Sequence, residues 1–328
     1  MIGFLVRRTG QAVFVLLVIS LLAFAVRNQL GDPLREMLGD SVSEAQRQAL
    51  RAELGLDDPF WVQYGRFLAA ALHGDFGTSY FFKEPALEVI LRKLPATVDL
   101  VLGAVILIVL VAVPVGVLVA IFHRHWLARA VMAVSIVGIS VPVFLTAIIA
   151  VYIFAVELDW LPSFGRGQTQ VLFGEWSTGF LTADGLRHLI LPCLSLGSIM
   201  VPLFIRLVRS EMVEVLQSDY IHYARAKGLS PARIYFVHAL KNTLLPVMTI
   251  GGVQIGTMIA FTVLTETVFQ WPGVGFLFLE AVNRADTPLI VAYLLFVGVV
   301  FVAVNTVVDI VYGWVNPRIR LTSPVARR

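Results

Sequence analysis

From Leu100 to Phe122 the chain carries no charged side chain, and from Ala130 to Val156 it again carries none. An α-helix rises about 1.5 Å per residue, so about 20 apolar residues reach across the ~30 Å hydrocarbon core of a bilayer. Six apolar stretches approach or exceed that length, at 10–26, 100–122, 130–156, 189–205, 244–265 and 289–308. The first and fourth are short, and the third is long enough to require tilt or an extension beyond the bilayer. Only 14% of the 328 residues are charged, against about 25% in a soluble domain. The expected fold is therefore an all-α polytopic membrane protein with six transmembrane helices.

Basic residues set the expected topology. With the N-terminus in the cytoplasm, the inside segments 1–9, 121–129, 206–243 and 311–328 hold 14 Lys and Arg against three acids. The short outside loops 157–188 and 266–288 hold only Arg166, Arg187 and Arg284. The positive-inside rule favours this orientation, with both termini cytoplasmic. The first stretch also admits a signal-peptide reading, because Arg7 and Arg8 precede the apolar run and Ala23-Phe24-Ala25 resembles a cleavage site. The sequence divides into an N-terminal membrane helix (1–28), an extracytoplasmic region (29–97), a helical core (98–313) and a cytoplasmic tail (314–328). Within 29–97, Ser43 to Gly55 reads as a capped helix, Trp61 to Leu72 as an amphipathic one, and "HGDFGTS" at 73–79 as a glycine-rich turn. This region either contacts a delivery protein or only caps the bundle.

One cytoplasmic stretch is unlike its apolar neighbours. "DYIHYARAKGLSPARI" (219–234) reads as a short helix capped by Asp219 and stopped by Lys227 and Gly228. Ser230 and Pro231 then restart the chain as N-cap and first helical residue. Ala224 and Ala226 are small enough for a partner to approach closely, and Tyr220 and Tyr223 share a face as possible anchors. The stretch reads as a docking element or, alternatively, as a solvated basic loop near anionic lipid.

Polar groups within or bordering the spans are translocation-path candidates: Gln254, Glu266 and Asn305, with Asp309 one turn beyond Asn305. For Gln254 and Asn305 the competing reading is hydrogen bonding between helices. Gly252-x-x-x-Gly256 reads as close helix packing, Pro114 and Pro142 as kinks, and "QWPGVG" at 270–275 as a sharp outer turn with a possible re-entrant piece.

Several blocks carry a resemblance. "YARAKGLSPARIYFVHALKNTLLP" (223–246) resembles the cytoplasmic loop of ABC importer permeases whose coupling helix enters a cleft on the ATPase. That loop's Glu-Ala-Ala falls on His222, Tyr223 and Ala224, so only Ala224 and Gly228 keep the general pattern. "HGDFGTS" (73–79), "LPATVDL" (94–100), "DYIHYARAKGL" (219–229), "LTETVFQWPGVG" (264–275) and "VDIVYGWVNPRIR" (308–320) are similar to the B-type subunit of dipeptide and oligopeptide permeases. Related permeases for nickel and glutathione share these blocks.

The resemblance implies an ABC type I importer fold in a bacterial inner membrane, with the coupling helix at about 219–229. It implies a second homologous permease subunit, two cytoplasmic ATPase subunits and a periplasmic solute-binding protein as partners, besides the lipid bilayer. ATP and Mg would sit on the ATPases and no cofactor on this chain, which has no G-x-x-x-x-G-K-[ST] phosphate cradle. The small net charge of +3 gives no reason to expect nucleic acid.

Two other classes compete. A polytopic enzyme would need a nucleophile–base pair or metal ligands near the membrane. The six histidines all lie outside the middle of the spans, no H-E-x-x-H occurs, and the single Cys193 has no partner cysteine. A secondary transporter would show internal repeats and buried ion-coupling charges, and it leaves the docking stretch unexplained. A permease works only with its ATPases, whereas a secondary carrier works alone.

Overall fold

The computed structural model describes residues 2–29, 48 and 57–315. Eleven helices are described: α1 (Ile2–Gln29), α2 (Phe60–Leu72), α3 (Ala86–Ile121), α4 (Trp126–Ser140), α5 (Val143–Val151), α6 (Ala183–Leu216), α7 (Asp219–Ala226), α8 (Pro231–Arg233), α9 (Leu240–Val268), α10 (Val274–Asn283) and α11 (Thr287–Val315). Wider π-helical turns follow α5 at Tyr152–Glu157 and join α8 to α9 at Ile234–Ala239. A short hairpin, β1 (Gln170–Phe173) with β2 (Trp176–Thr178), adds strand to the expected all-helical chain. It turns at Gly174, whose φ is +52°, and stacks Phe173 on Trp176.

Among the described residues, four helices are long and apolar enough to cross a membrane: Ala86–Ile121, Ala183–Leu216, Pro231–Val268 and Thr287–Val308. The expected 130–156 span is a broken pair, α4 and α5 meeting at 106°. Pro142 supplies the break, since it has no N–H to donate and holds Val141 in an extended conformation with φ −87° and ψ 126°. By contrast, α3 runs unbroken through Pro114. The expected 10–26 span corresponds to Thr9–Ala25, a shorter apolar part of α1. The helix α3 begins at Ala86, so the last part of 29–97 belongs to it. Of the expected helix at 43–54 all but Gln48 falls outside the described residues, whereas Trp61–Leu72 is helical as expected.

The chain divides into two compact units. The first comprises Met1–Thr97, Val171–Ser177 and Pro272–Val302. Its core packs Ala23 and Phe24 of α1 against Phe67 of α2 and Val291 and Leu295 of α11. Phe24 meets the rings of Phe60, Tyr64 and Phe67 at centroid distances of 5.2–5.6 Å. Two of the three residues that resemble a cleavage site, Ala23 and Phe24, are thus core residues. A buried carboxylate organises the 79–82 loop. Asp286 accepts from Ser79 Oγ at 2.5 Å and from the amides of Tyr80 and Phe81, both at 3.2 Å. It also accepts from Leu289 N at 3.4 Å, in the first turn of α11. Gly74 and Gly77, with φ of +81° and +88°, turn the chain into that loop.

The second unit comprises Val98–Gln170, Thr178–Trp271 and Ala303–Arg328. Here α6 packs against α4, α5 and α9. Lipid chains are as apolar as leucine, so helices associate by close fit at small residues. Gly116 faces Val208, Gly138 faces Pro202, and Gly252 faces Val308 of α11, as the Gly252-x-x-x-Gly256 spacing anticipates. Thr182 caps α6, its hydroxyl accepting from Gly185 N at 3.0 Å. A second buried carboxylate, Asp99 of α3, accepts from Arg166 Nη2 at 2.7 Å, Thr178 Oγ1 at 2.8 Å and Gly179 N at 2.9 Å.

Removing one partner of a buried ion pair leaves the other charge uncompensated and costs about 3–5 kcal/mol. Asp99→Ala is expected to lower the thermal midpoint of the purified protein in detergent. Asp99→Asn, which keeps an acceptor, is expected to lower it less. Equal midpoints for wild type and Asp99→Ala would contradict the anchoring role.

Candidate functional site

The docking stretch forms α7, a two-turn helix between the long α6 and the long Pro231–Val268 helix. Its start differs from the sequence expectation. Ser218, with φ −74° and ψ 152°, holds the N-cap position, and Asp219 is the first helical residue with no side-chain capping bond. The Ser218 hydroxyl is turned back onto Val215 O at 2.5 Å, serving the end of α6. Asp219 therefore acts through the helix dipole, as an anion in the first turn, with Arg225 in the last.

The end of α7 is as the sequence predicts. Gly228 has φ +76°, its N–H donates to Arg225 O at 2.9 Å, and Leu229 N donates to Ala224 O at 3.3 Å. These two bonds form a Schellman motif, with glycine at the left-handed position. Pro231 then opens α8 at its first position as predicted, and Ser230 holds the N-cap position without a side-chain capping bond.

The two faces of α7 are now distinguishable. Ile221 and Ala224 are buried, so Ala224 packs within the chain rather than offering a small surface to a partner. The i, i+3 spacing that aligns Ile221 with Ala224 also turns Ala226 and Lys227 outward. The tyrosines split. Tyr223 is 62% exposed, and Lys227 Nζ lies 4.6 Å from its ring centroid. The Tyr220 hydroxyl donates to His238 O at 3.1 Å and accepts from Asn242 Nδ2 at 2.7 Å. The exposed residues of α7 and its C-cap are Asp219, Tyr220, His222, Tyr223, Arg225, Ala226 and Lys227, with Tyr220 41% exposed although its hydroxyl is tied to the chain.

A cavity of about 470 Å³ lies in the second unit between α3, α6, α9 and α11. Val109, Phe204, Met248, Met258 and Val308 contribute to its largely apolar wall, and Thr249 and Gln254 are the polar residues on it. Of the predicted path residues only Gln254 reaches it. Asn305 is half-buried on α11, one turn before the lining residue Val308. Glu266 is fully buried near the far end of α9, about 18 Å along the helix from Gln254 at 1.5 Å per residue. The structure therefore does not assemble Gln254, Glu266 and Asn305 into one site. The side chain of Asp309 lies outside the described residues. At 270–275, Gln270 adopts φ +48°, Trp271 is fully buried, and its N–H bonds to Glu266 O at 2.8 Å.

The tie of Tyr220 to Asn242 has no signal in the local spacing. A tyrosine at the exposed start of a docking helix reads as an anchor for a partner, and its link to Asn242 spans 22 residues. The buried carboxylates Asp99 and Asp286 are not among the residues that the sequence analysis singles out. The signal was there: Asp99 is the one acid between Pro95 and Phe122, and Asp286 directly precedes Thr287-Pro288, a helix-start pattern.

A left-handed alanine is about 1–2 kcal/mol less favourable than glycine, and no atom lies within 4 Å of a Cβ at 228. Gly228→Ala is therefore expected to fray the end of α7 by backbone strain alone, seen as faster amide exchange over residues 224–229. Gly228→Pro, which also loses the bond to Arg225 O, is expected to exchange faster still.

The description "Binding-protein-dependent transport system inner membrane component" matches residues 112–321, and its N-terminal counterpart matches residues 1–101. The chain is 40% identical to the di/tripeptide transport system permease protein DppB of Pseudomonas aeruginosa, over 98% of this chain and 99% of that one. It is 36% identical to the dipeptide transport system permease protein DppB of Alkalihalophilus pseudofirmus, over 98% and 100% respectively. It is 37% identical to the protein of that name in Escherichia coli, over 98% and 99%. The chain belongs to the family of binding-protein-dependent transport system inner membrane components.

Proposed function

We propose that this chain is a permease subunit of an ATP-driven importer and forms half of a path for dipeptides and oligopeptides. It pairs with a second, homologous permease subunit above two cytoplasmic ATPase subunits, and a periplasmic solute-binding protein delivers the cargo. It crosses the bacterial inner membrane six times with both termini in the cytoplasm, as its basic loops favour. ATP and Mg are held by the ATPases.

The observation that carries this reading is the geometry of α7. A short helix with a left-handed glycine stop presents Tyr223, Arg225 and Lys227 to solvent from between two long helices. A helix so held transmits a push without bending. When nucleotide closes the ATPase pair, α7 moves with the cleft that holds it, and α9 follows through the π-helical turn 234–239, which packs against α7 and runs into α9. The cavity lined by α9 then changes shape, which is a two-state gating motion. The peptide cargo is supported by the names of full-length relatives at 36–40% identity.

The test is reconstitution of the chain into liposomes, alone and with its co-purifying ATPases and binding protein. Uptake of labelled dipeptide is expected only from the full complex, only with ATP, and with peptide-stimulated hydrolysis. Uptake by the chain alone would overturn the reading in favour of a secondary carrier. Tyr223→Ala alters an exposed side chain, so folding is expected to change by no more than about 0.5 kcal/mol. The same variant is expected to weaken ATPase recovery in a pull-down and to lower uptake.

A further inference from the structure

The link between α7 and the long helix that follows it is, covalently, a weak one. Lys227, Gly228, Leu229 and Ser230 connect them, and Gly228 sits at φ +76° with open space where a Cβ would stand. A push on the outward face of α7 could be absorbed by rotation at this joint. Burial of Ile221 and Ala224 holds the helix down, but apolar contact is not directional and does not fix rotation about the helix axis.

Hydrogen bonds are directional, and one group supplies them here. Tyr220 donates to His238 O at 3.1 Å and accepts from Asn242 Nδ2 at 2.7 Å. Asn242 Nδ2 also lies 3.3 Å from His238 O, closing a triangle of three polar groups. His238 lies in the π-helical turn Ile234–Ala239, and Asn242 lies in the first turn of α9. A carbonyl oxygen has two lone pairs, so His238 O can serve its own helix and accept from Tyr220 as well. Single π-helical turns of this kind recur at functional sites in helices.

We propose that Tyr220 is a positioning residue for energy coupling. Its hydroxyl ties the coupling helix to the start of α9, bypassing the glycine joint, so that both turn as one body. This rests on the permease reading above. The tie leads toward the cavity, because α9 carries Met248, Gln254 and Met258 on the cavity wall. Tyr223 meets the partner and Tyr220 conveys its movement, which gives the two tyrosines of one short helix different tasks.

The experiment uses the complete transporter in proteoliposomes with labelled dialanine as probe. Uptake and ATP hydrolysis are measured together for wild type, Tyr220→Phe, Asn242→Ala and the double variant. Tyr220→Phe keeps the ring and removes only the hydroxyl. Dialanine imported per ATP hydrolysed is expected to fall about threefold to tenfold in each single variant, the range that loss of one hydrogen bond supports. The double variant is expected to fall no further than the worse single one. Complex recovery and thermal midpoint are expected to be unchanged.

An unchanged ratio in Tyr220→Phe overturns the proposal. So does a parallel fall in uptake, hydrolysis and complex recovery, which marks a merely structural role. If the wild-type complex takes up no dialanine with ATP, the permease reading fails, and amide exchange of residues 219–229 in the membrane-embedded chain then decides the tie. Faster exchange in Tyr220→Phe supports it and unchanged exchange removes it.

Discussion

A peptide group in hydrocarbon has no water to bond, so each N–H and C=O there must find its partner inside the protein. The long helices meet that demand by themselves, and wherever a helix stops the demand falls on something else. At the α4–α5 break Pro142 has no N–H to satisfy, and its carbonyl accepts from Leu145 N at 3.0 Å and Thr146 N at 3.1 Å. At the end of α9 the freed Phe269 carbonyl accepts from Gly165 N at 2.8 Å. At the two loops tied to buried acids, Asp99 and Asp286 accept from main-chain amides. Interruptions of the helices are thus the expensive parts of this fold, and the elements with mechanical interest sit at them.

Much of the fold was legible in the sequence because hydrophobic length is a coarse and robust signal. The charge-free runs at 100–122 and 130–156 mark membrane segments by length alone. Glycine and proline spoke clearly where backbone geometry decides, as at Gly228 and Pro142. The helix ends were not legible. α3 starts at Ala86, and α6 continues through Arg206, Arg209, Glu211 and Glu214. A helix leaving the bilayer needs no change of period, only of polarity, so hydropathy cannot mark its end.

The candidate site was legible in outline and not in orientation. Spacing along α7 groups Ile221 with Ala224 and Tyr220 with Tyr223, but it does not say which group faces the chain. Ala224 turned out buried, and Tyr220 turned out bonded to groups 18 and 22 residues away. Contacts at that separation are set by tertiary packing. The path residues show the same limit, since polarity within a span marked Gln254, Glu266 and Asn305 alike and only Gln254 lines the cavity.

Gly103 of α3 and Cys193 of α6 meet so closely that a methyl group at 103 would come 2.5 Å from the Cys193 sulfur. The two positions share one fixed volume between two membrane helices. Within a lineage of such proteins, growth at one is tolerable only after shrinkage at the other. The approach of the two helices at this point is therefore set by the pair, and a larger side chain at 103 calls for a smaller or turned one at 193.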